Sequence, residues 1–297
     1  MLSVFWKKLR LTLEMIKFEH SVFALPFAMT AALLAARDGD LSPAGLGRKL
    51  PWIVLAMVGA RSAAMTYNRL VDDDSDSRNP RTSARHLPAG LLSRAFAWGF
   101  LGASVLLFLL SARMLNPLCF YLAPPALAVI LFYSFTKRFT SFSHVVLGLA
   151  LGIAPAAAWI AVRGSLDPRI LWLTAAVMFW TAGFDIIYAC QDYEFDGREG
   201  LFSLPRRYGV GGALWISRAF HLAMLGSLAA LAAGFRTGWL SIAGVVLTAG
   251  LLGWEHRLVK PNDLSKVNAA FFTVNGCVGV LFFLFWAADM VLLGGGA

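Results

Sequence analysis

From its first residues the chain alternates long apolar runs with short polar connections. Apolar runs of about 17 to 25 residues recur at 20–36, 51–71, 94–112, 117–135, 144–162, 169–191, 213–234, 238–254 and 267–292, and each is long enough as a helix to cross about 30 Å of hydrocarbon. The first is among the shortest and is interrupted by His20 and Pro26. The pattern predicts an all-α integral membrane protein, a bundle of about nine transmembrane helices, with residues 1–297 forming a single polytopic domain.

Ahead of the first run, Lys7, Lys8, Arg10 and Lys17 are interleaved with Phe5, Trp6, Leu9, Leu13 and Ile16 at near-helical spacing. No small-residue cleavage site follows a short apolar core, so a removable signal peptide is not expected. An N-terminal amphipathic helix lying in the membrane interface is.

Composition agrees with the pattern. The chain is 58% hydrophobic and only 14% charged, with a mean hydropathy of +0.66, whereas soluble domains carry roughly 25% charged residues. The three cysteines, Cys119, Cys190 and Cys277, fall in or at the ends of separate apolar runs and suit buried free thiols better than a disulfide framework.

The net charge of +9 changes the picture only through its distribution. Of the 26 Lys and Arg, 18 fall at the N-terminus or in the connections after the second, fourth, sixth and eighth runs, counting Arg69, Arg94 and Arg218 at run ends. Positive residues accumulate on the cytoplasmic side of inner-membrane proteins. The expected location is therefore the inner (plasma) membrane, with these connections in the cytoplasm, the C-terminus outside, the lipid bilayer as partner and no nucleic acid.

Two of the cytoplasmic connections are acidic. Asp72, Asp73, Asp74 and Asp76 follow the second run, and the segment Asp192 to Glu199 follows the sixth. Asp72 and Asp192 are 120 residues apart, as are Asp76 and Asp196. This suggests two successive four-helix units plus a ninth helix, with active-site loops at about 68–93 and 188–207. Other cytoplasmic connections are Tyr133 to Phe139 and Glu255 to Lys266, while Arg163 to Arg169 on the opposite side has no clustered carboxylates.

Asp72 and Asp76 are four apart, as are Asp192 and Asp196, so each pair shares a face on a helix. Arg61, Met65 and Asn68 extend the first stripe into the membrane, and Asp185 extends the second. A lone acidic loop is usually a solvated charge run. Two matched pairs, with Arg61 and Asp185 inside spans where a charge costs about 2.5 kcal/mol or more, indicate a site. Carboxylates facing one cavity need a cation between them. An oxygen-only ligand set of Asp72, Asp76, Asp192, Asp196 and Asn68 suits Mg²⁺ bearing a diphosphate, with Arg81, Arg85 and Lys137 to neutralise the remaining phosphate oxygens.

These residues resemble the UbiA superfamily of intramembrane prenyltransferases, whose signatures are NDxxDxxxD, a later DxxxD, and a YxxxK between them. Here the matches are Asn68, Asp72 and Asp76, then Asp192 and Asp196, with Tyr133 and Lys137 in between. Arg69 departs from the pattern where the family has its first Asp, and neither Asp73 nor Asp74 is assumed to replace it. KFEHSVFALPF, NPRT, LPAG and DIIYACQD look like the 4-hydroxybenzoate polyprenyltransferase-like branch. Similar relatives serve a menaquinone route, so the acceptor stays open between a hydroxybenzoate and a naphthoate type.

The resemblance implies nine transmembrane helices and Mg-dependent transfer of a polyprenyl group from polyprenyl diphosphate to a small aromatic acceptor. Tyr133 is then placed to stabilise an allylic cation through its ring or to serve as a structural tyrosine. Asp185 or Asp192 accepts the ring proton, and Arg61 or Lys17 holds an acceptor carboxylate, unless Arg61 pairs with Asp185. Glu19, His20 and His144 are expected to be structural polar groups at span starts, and Glu194 and Glu199 loop charges.

Two other classes compete with this reading. A transporter places its site near the bilayer midplane at broken helices, whereas these clusters sit at one face. A CDP-alcohol phosphotransferase also uses intramembrane aspartates, but its contiguous motif is absent after Asp72.

Overall fold

The structure, a computed structural model, describes the backbone of residues 2–17 and 21–293. Glu19 and His20 lie outside the described residues.

The described residues are mostly helical. α1 (Leu2–Met15) precedes the long helices α2 (Ser21–Asp38), α3 (Pro43–Arg78), α4 (Arg94–Leu115), α5 (Pro117–Thr136), α6 (Ser143–Arg163) and α7 (Leu171–Ala189). A short α8 (Tyr193–Arg198) leads to α9 (Leu204–Gly234), α10 (Trp239–Leu258) and α11 (Asn275–Ala288). No strand occurs among the described residues; a lone bridge between Lys260 and Asp263 shapes the α10–α11 connection.

Among the described residues, six segments are long and apolar enough to cross a membrane, namely those at 94–115, 117–136, 143–163, 168–198, 204–234 and 269–292. α2, α3 and α10 occupy the places of the remaining expected runs. α3 carries Arg61 and Asn68 within its apolar stretch, and α10 closes on Glu255, His256 and Arg257, which lowers their hydropathy.

The helix starts follow from local chemistry. Ser42, Ser93, Asn116 and Ser203 each accept a hydrogen bond from a backbone N–H in the first turn that follows, and Pro43, Pro117 and Pro205 stand within the first turns of α3, α5 and α9. α10 is capped from outside: the Asp289 carboxylate accepts from the N–H groups of Gly238, Leu240 and Ser241 at 2.7 to 3.2 Å.

α7 is the axis of the bundle, packed between α6 and α9, while α2 lies against α6 and α11, and α3 against α4. Phe27 stacks on Phe282 at 4.8 Å and lies 5.0 Å from Trp180. The Trp180 indole donates to Asn275 Oδ1 at 2.6 Å, and Asn275 Nδ2 donates to Glu255 Oε1 at 2.7 Å. This buried chain ties α7, α11 and α10 together.

α6 and α7 touch backbone to backbone. A Cβ at Gly148 would collide with the Met178 carbonyl, and one at Gly152 with the Thr174 carbonyl. Small residues four apart permit this approach. Gly148→Val is expected to force the two helices apart and to cost about 1–3 kcal/mol, read as a lowered unfolding temperature in detergent; an unchanged transition would show that the contact is slack.

Two expectations about the acidic segments need correction. α3 does not end near position 71 but stays helical to Arg78, so Asp72 and Asp76 are carried on helix and not on a loop. The second segment is not one continuous helical stripe: a 3₁₀ turn at Cys190–Asp192 separates α7 from α8. Asp185 and Asp192 are therefore offset from simple helical register.

Candidate active site

Beneath the acidic segments, α2, α3, α5, α6 and α7 enclose a cavity of about 1300 Å³. Its walls are mostly Ala, Val, Ile, Leu and Met, and Lys17, Arg61, Asn68, Arg69, Arg81, Arg85, Tyr133 and Asp185 supply polar lining. The stripe expected on α3 is present. Asn68 Nδ2 donates to Asp72 Oδ2 at 2.8 Å, one helical turn away.

The connection after α3 folds back on itself. Asn79 Oδ1 accepts from the Arg81 N–H at 3.0 Å, and the Thr82 hydroxyl donates to the Asp76 carbonyl at 3.0 Å, a local turn of the kind Asn and Thr side chains promote. This aims two arginines inward. Arg81 reaches the other half of the chain and grips Asp192 with two parallel bonds, Nε to Oδ1 at 2.9 Å and Nη2 to Oδ2 at 2.6 Å. Arg85 Nη1 donates to both oxygens of Asp76 at 2.7 and 2.6 Å.

The two acidic segments thus meet through arginine–carboxylate pairs. Arg81 and Arg85, expected behind the carboxylates to serve phosphate, each pair with a carboxylate. Asn79 adds a weaker contact to Asp192 at 3.4 Å. Arg69 is buried, with Nη1 4.0 Å from Asp76 Oδ2, so the departure from the family pattern places a cation against the first acidic pair. Arg138 Nη2 lies 3.7 Å from Asp72 Oδ1.

Lys137, just past α5, is largely enclosed by the same carboxylates. Burial opposes its charge, but Asp196, Asp192, Asp185 and Asp72 outweigh burial and hold the ammonium above its usual range. It is a cation beside the acidic set. Tyr133, one turn earlier, lines the cavity.

Asp196 is almost wholly buried, and its Oδ2 has no hydrogen-bond partner among the described residues. A buried carboxylate oxygen left without a partner is costly. Among the described residues no three His, Cys, Asp or Glu side chains converge as a ready metal-ligating group, because Asp76 and Asp192 are held by arginine. The donors are nonetheless all oxygen, and Asp196 offers an unused one, so the set fits a hard divalent cation once the arginines let go.

Asp185 lines the cavity below this cluster and is bound through Oδ2 to His144 Nδ1 at 2.7 Å. Glu199 pairs with Arg78 at 2.8 Å on the exposed rim and Glu194 is exposed, as expected of loop charges. Sequence reasoning missed Tyr188, whose hydroxyl accepts from Arg81 Nη1 at 3.1 Å and whose ring lies 4.3 Å from Phe271. Its position three residues after Asp185 and four before Asp192 was the available signal.

Residues 24–289 match the model of the UbiA prenyltransferase family. The chain is 36% identical over 231 residues to the mitochondrial 4-hydroxybenzoate polyprenyltransferase of Arabidopsis thaliana, an alignment covering 76% of this chain and 55% of that protein. It is 32% identical over 238 residues to 4-hydroxybenzoate octaprenyltransferase of Klebsiella pneumoniae, covering 78% and 82%. The chain thus spans little more than half the length of the plant relative.

Among solved structures it superposes on the apo structure of a UbiA homolog from Aeropyrum pernix with a TM-score of 0.82 and 32% identity, over 92% of this chain and 98% of that one. A UbiA homolog from Archaeoglobus fulgidus, bound to DMAPP and Mg²⁺, shares the fold with a TM-score of 0.73 and 21% identity, over 94% and 98%. With the signature residues gathered at one end of an apolar cavity and the family match running across nearly the whole chain, this protein belongs to the UbiA prenyltransferase family.

Proposed function

We propose that the protein is an intramembrane aromatic prenyltransferase, transferring a polyprenyl group from polyprenyl diphosphate to a 4-hydroxybenzoate-like acceptor in quinone biosynthesis. The observation that carries the reading is the joining of the two acidic segments through Arg81–Asp192, with Arg85 paired to Asp76 beside it, directly over a long apolar cavity. A charged headgroup and a hydrocarbon tail each find their own environment there. The names of the plant and bacterial relatives, and the DMAPP and Mg²⁺ bound by the archaeal homolog, support it.

The residues that would hold Mg²⁺ are Asp72, Asp76, Asp192, Asp196 and Asn68, and the ion would draw charge from the departing diphosphate. Arg81 and Arg85 exchange a carboxylate for phosphate oxygens when substrate arrives, and Lys137 stays as a fixed cation. Arg69 adds a further positive charge beside Asp76.

The allylic C–O bond then breaks with its electron pair leaving on diphosphate, and the apolar cavity excludes water from the cation. Tyr133 and Tyr188 present ring faces to that charge. A ring carbon of the acceptor supplies the pair for the new C–C bond, and the hydrogen it carried is lost as a proton. With Asp192 among the residues that would hold the metal and Asp185 lining the cavity, Asp185 is the better proton acceptor. Arg61 and Lys17, both lining the cavity, are the cations for an acceptor carboxylate.

In the membrane we assign nine crossings, adding α2, α3 and α10 to the six apolar segments. α1 lies in the interface, the acidic segments face the cytoplasm and the C-terminus lies outside.

Purified protein given Mg²⁺, labelled polyprenyl diphosphate and a panel of hydroxybenzoates and dihydroxynaphthoates is expected to yield one prenylated aromatic and an equal amount of diphosphate. Failure with every acceptor, together with solute uptake by reconstituted vesicles, would favour a transporter instead.

A further inference from the structure

His144 was expected to be a structural polar group at the start of a span. Its surroundings give it a more specific part. The side chain is fully buried on the first turn of α6, and both ring nitrogens are engaged. Nδ1 lies 2.7 Å from Asp185 Oδ2, and Nε2 accepts from the Leu204 N–H at 3.5 Å. Because Nε2 is an acceptor, the proton resides on Nδ1 and is donated to Asp185. The ring bridges the start of α9 to the carboxylate on α7.

The helix contact explains why the two meet. His144, Gly148 and Gly152 are four apart and share one face of α6. The two glycines bring that face against the Met178 and Thr174 carbonyls of α7, so one turn further along the imidazole comes within bonding distance of Asp185. Only Oδ2 is taken. Asp185 Oδ1 makes no hydrogen bond among the described residues, and the residue lines the cavity.

We infer that His144 is a positioning residue: it holds Asp185 in one orientation, with Oδ1 turned to receive the ring proton of the aromatic acceptor. The inference rests on the function proposed above. In the step concerned, the C–H bond at the substituted ring carbon breaks, its electron pair restores the aromatic ring, and the proton passes to Asp185 Oδ1. His144 neither gains nor loses a proton. Its donated bond stabilises the carboxylate and removes rotamers that would turn Oδ1 away.

The other polar groups around Asp185 do not duplicate this. Tyr133 and Lys137 approach it from the end of α5. His221 on α9 packs against Gly183, and α2 carries its charged residues, Arg37 and Asp38, at its far end.

The test compares His144→Leu, His144→Asn and Asp185→Asn in the full-length protein, with 4-hydroxybenzoate carrying deuterium at the substituted position. Asparagine sets an amide N–H near the place of Nδ1, and leucine does not. His144→Leu is expected to lower kcat roughly 10- to 100-fold with KM for the diphosphate unchanged, and His144→Asn to recover most of it. Asp185→Asn should fall by roughly 10²- to 10³-fold, and adding His144→Leu to it should cost little more.

The ring-deuterium isotope effect, near unity when proton loss is fast, should rise in His144→Leu and return in His144→Asn. A purely structural histidine would not move it. Should the leucine variant fail to fold, His144→Gln, which withdraws the donor from Asp185, takes its place. A full rate in the leucine or glutamine variant, or a loss with no change in the isotope effect, would overturn the inference while leaving the transferase intact. A wild type that prenylates no acceptor overturns both.

Discussion

An Asp192→Asn variant is expected to fold and to lose roughly 10³-fold in turnover, measured as diphosphate released per mole of protein. The change keeps the volume of the side chain but removes one of the charges that would hold the metal. It also ends the two-point grip of Arg81 on the second acidic segment, and a fork-shaped guanidinium pairs poorly with an amide. Arg81→Met separates the two effects. It should raise KM for the diphosphate far more than it lowers kcat, because the arginine serves the phosphate oxygens and the metal ligands remain. Equal, mild losses in both variants would mean that the Arg81–Asp192 pair is an ordinary ion pair.

Lys137→Met should be nearly as damaging, with turnover falling by roughly 10²- to 10³-fold. Its signature lies in stability. Lys137 is a cation beside Asp72, Asp185, Asp192 and Asp196, so its removal leaves those carboxylates with less counter-charge. The metal-free variant should unfold at a lower temperature than the wild type, and Mg²⁺ should raise that temperature by more than it does in the wild type. Lys137→Arg should not restore activity, since a planar fork does not replace a compact point charge. A variant with wild-type stability and no added response to Mg²⁺ would remove Lys137 from the site.

Much of this could be read from residue spacing. Asp72 with Asp76, Asp192 with Asp196, and Tyr133 with Lys137 each sit four apart, and the structure gathers them at one end of one cavity. The apolar runs marked the places of the long helices because burial in lipid leaves a simple compositional trace. The pattern blurred where a helix outlasts its apolar part. α3 continues to Arg78 because helix geometry does not require apolar residues once the chain leaves the hydrocarbon, and the turn at Cys190–Asp192 breaks a stripe that spacing alone extends.

Partnerships across the fold were invisible for a different reason. Arg81 and Asp192 are 111 residues apart, and nothing local says that this arginine, and not Arg78, turns inward. The link from Trp180 through Asn275 to Glu255 likewise joins three helices with no shared motif. His144 lacked a local signal as well, because its meaning depends on how closely Gly148 and Gly152 bring α6 to α7.

The central claim is that the two acidic segments together form a metal-dependent diphosphate site. It is tested most directly by titrating the protein with a non-ionisable polyprenyl thiodiphosphate in a calorimeter, with and without Mg²⁺, in the wild type and in Asp76→Asn and Asp192→Asn. Binding should require Mg²⁺ and should be lost in each variant alone, since each contributes from a different half of the chain. Binding that is equally tight without Mg²⁺, or that survives in both variants, would contradict the claim.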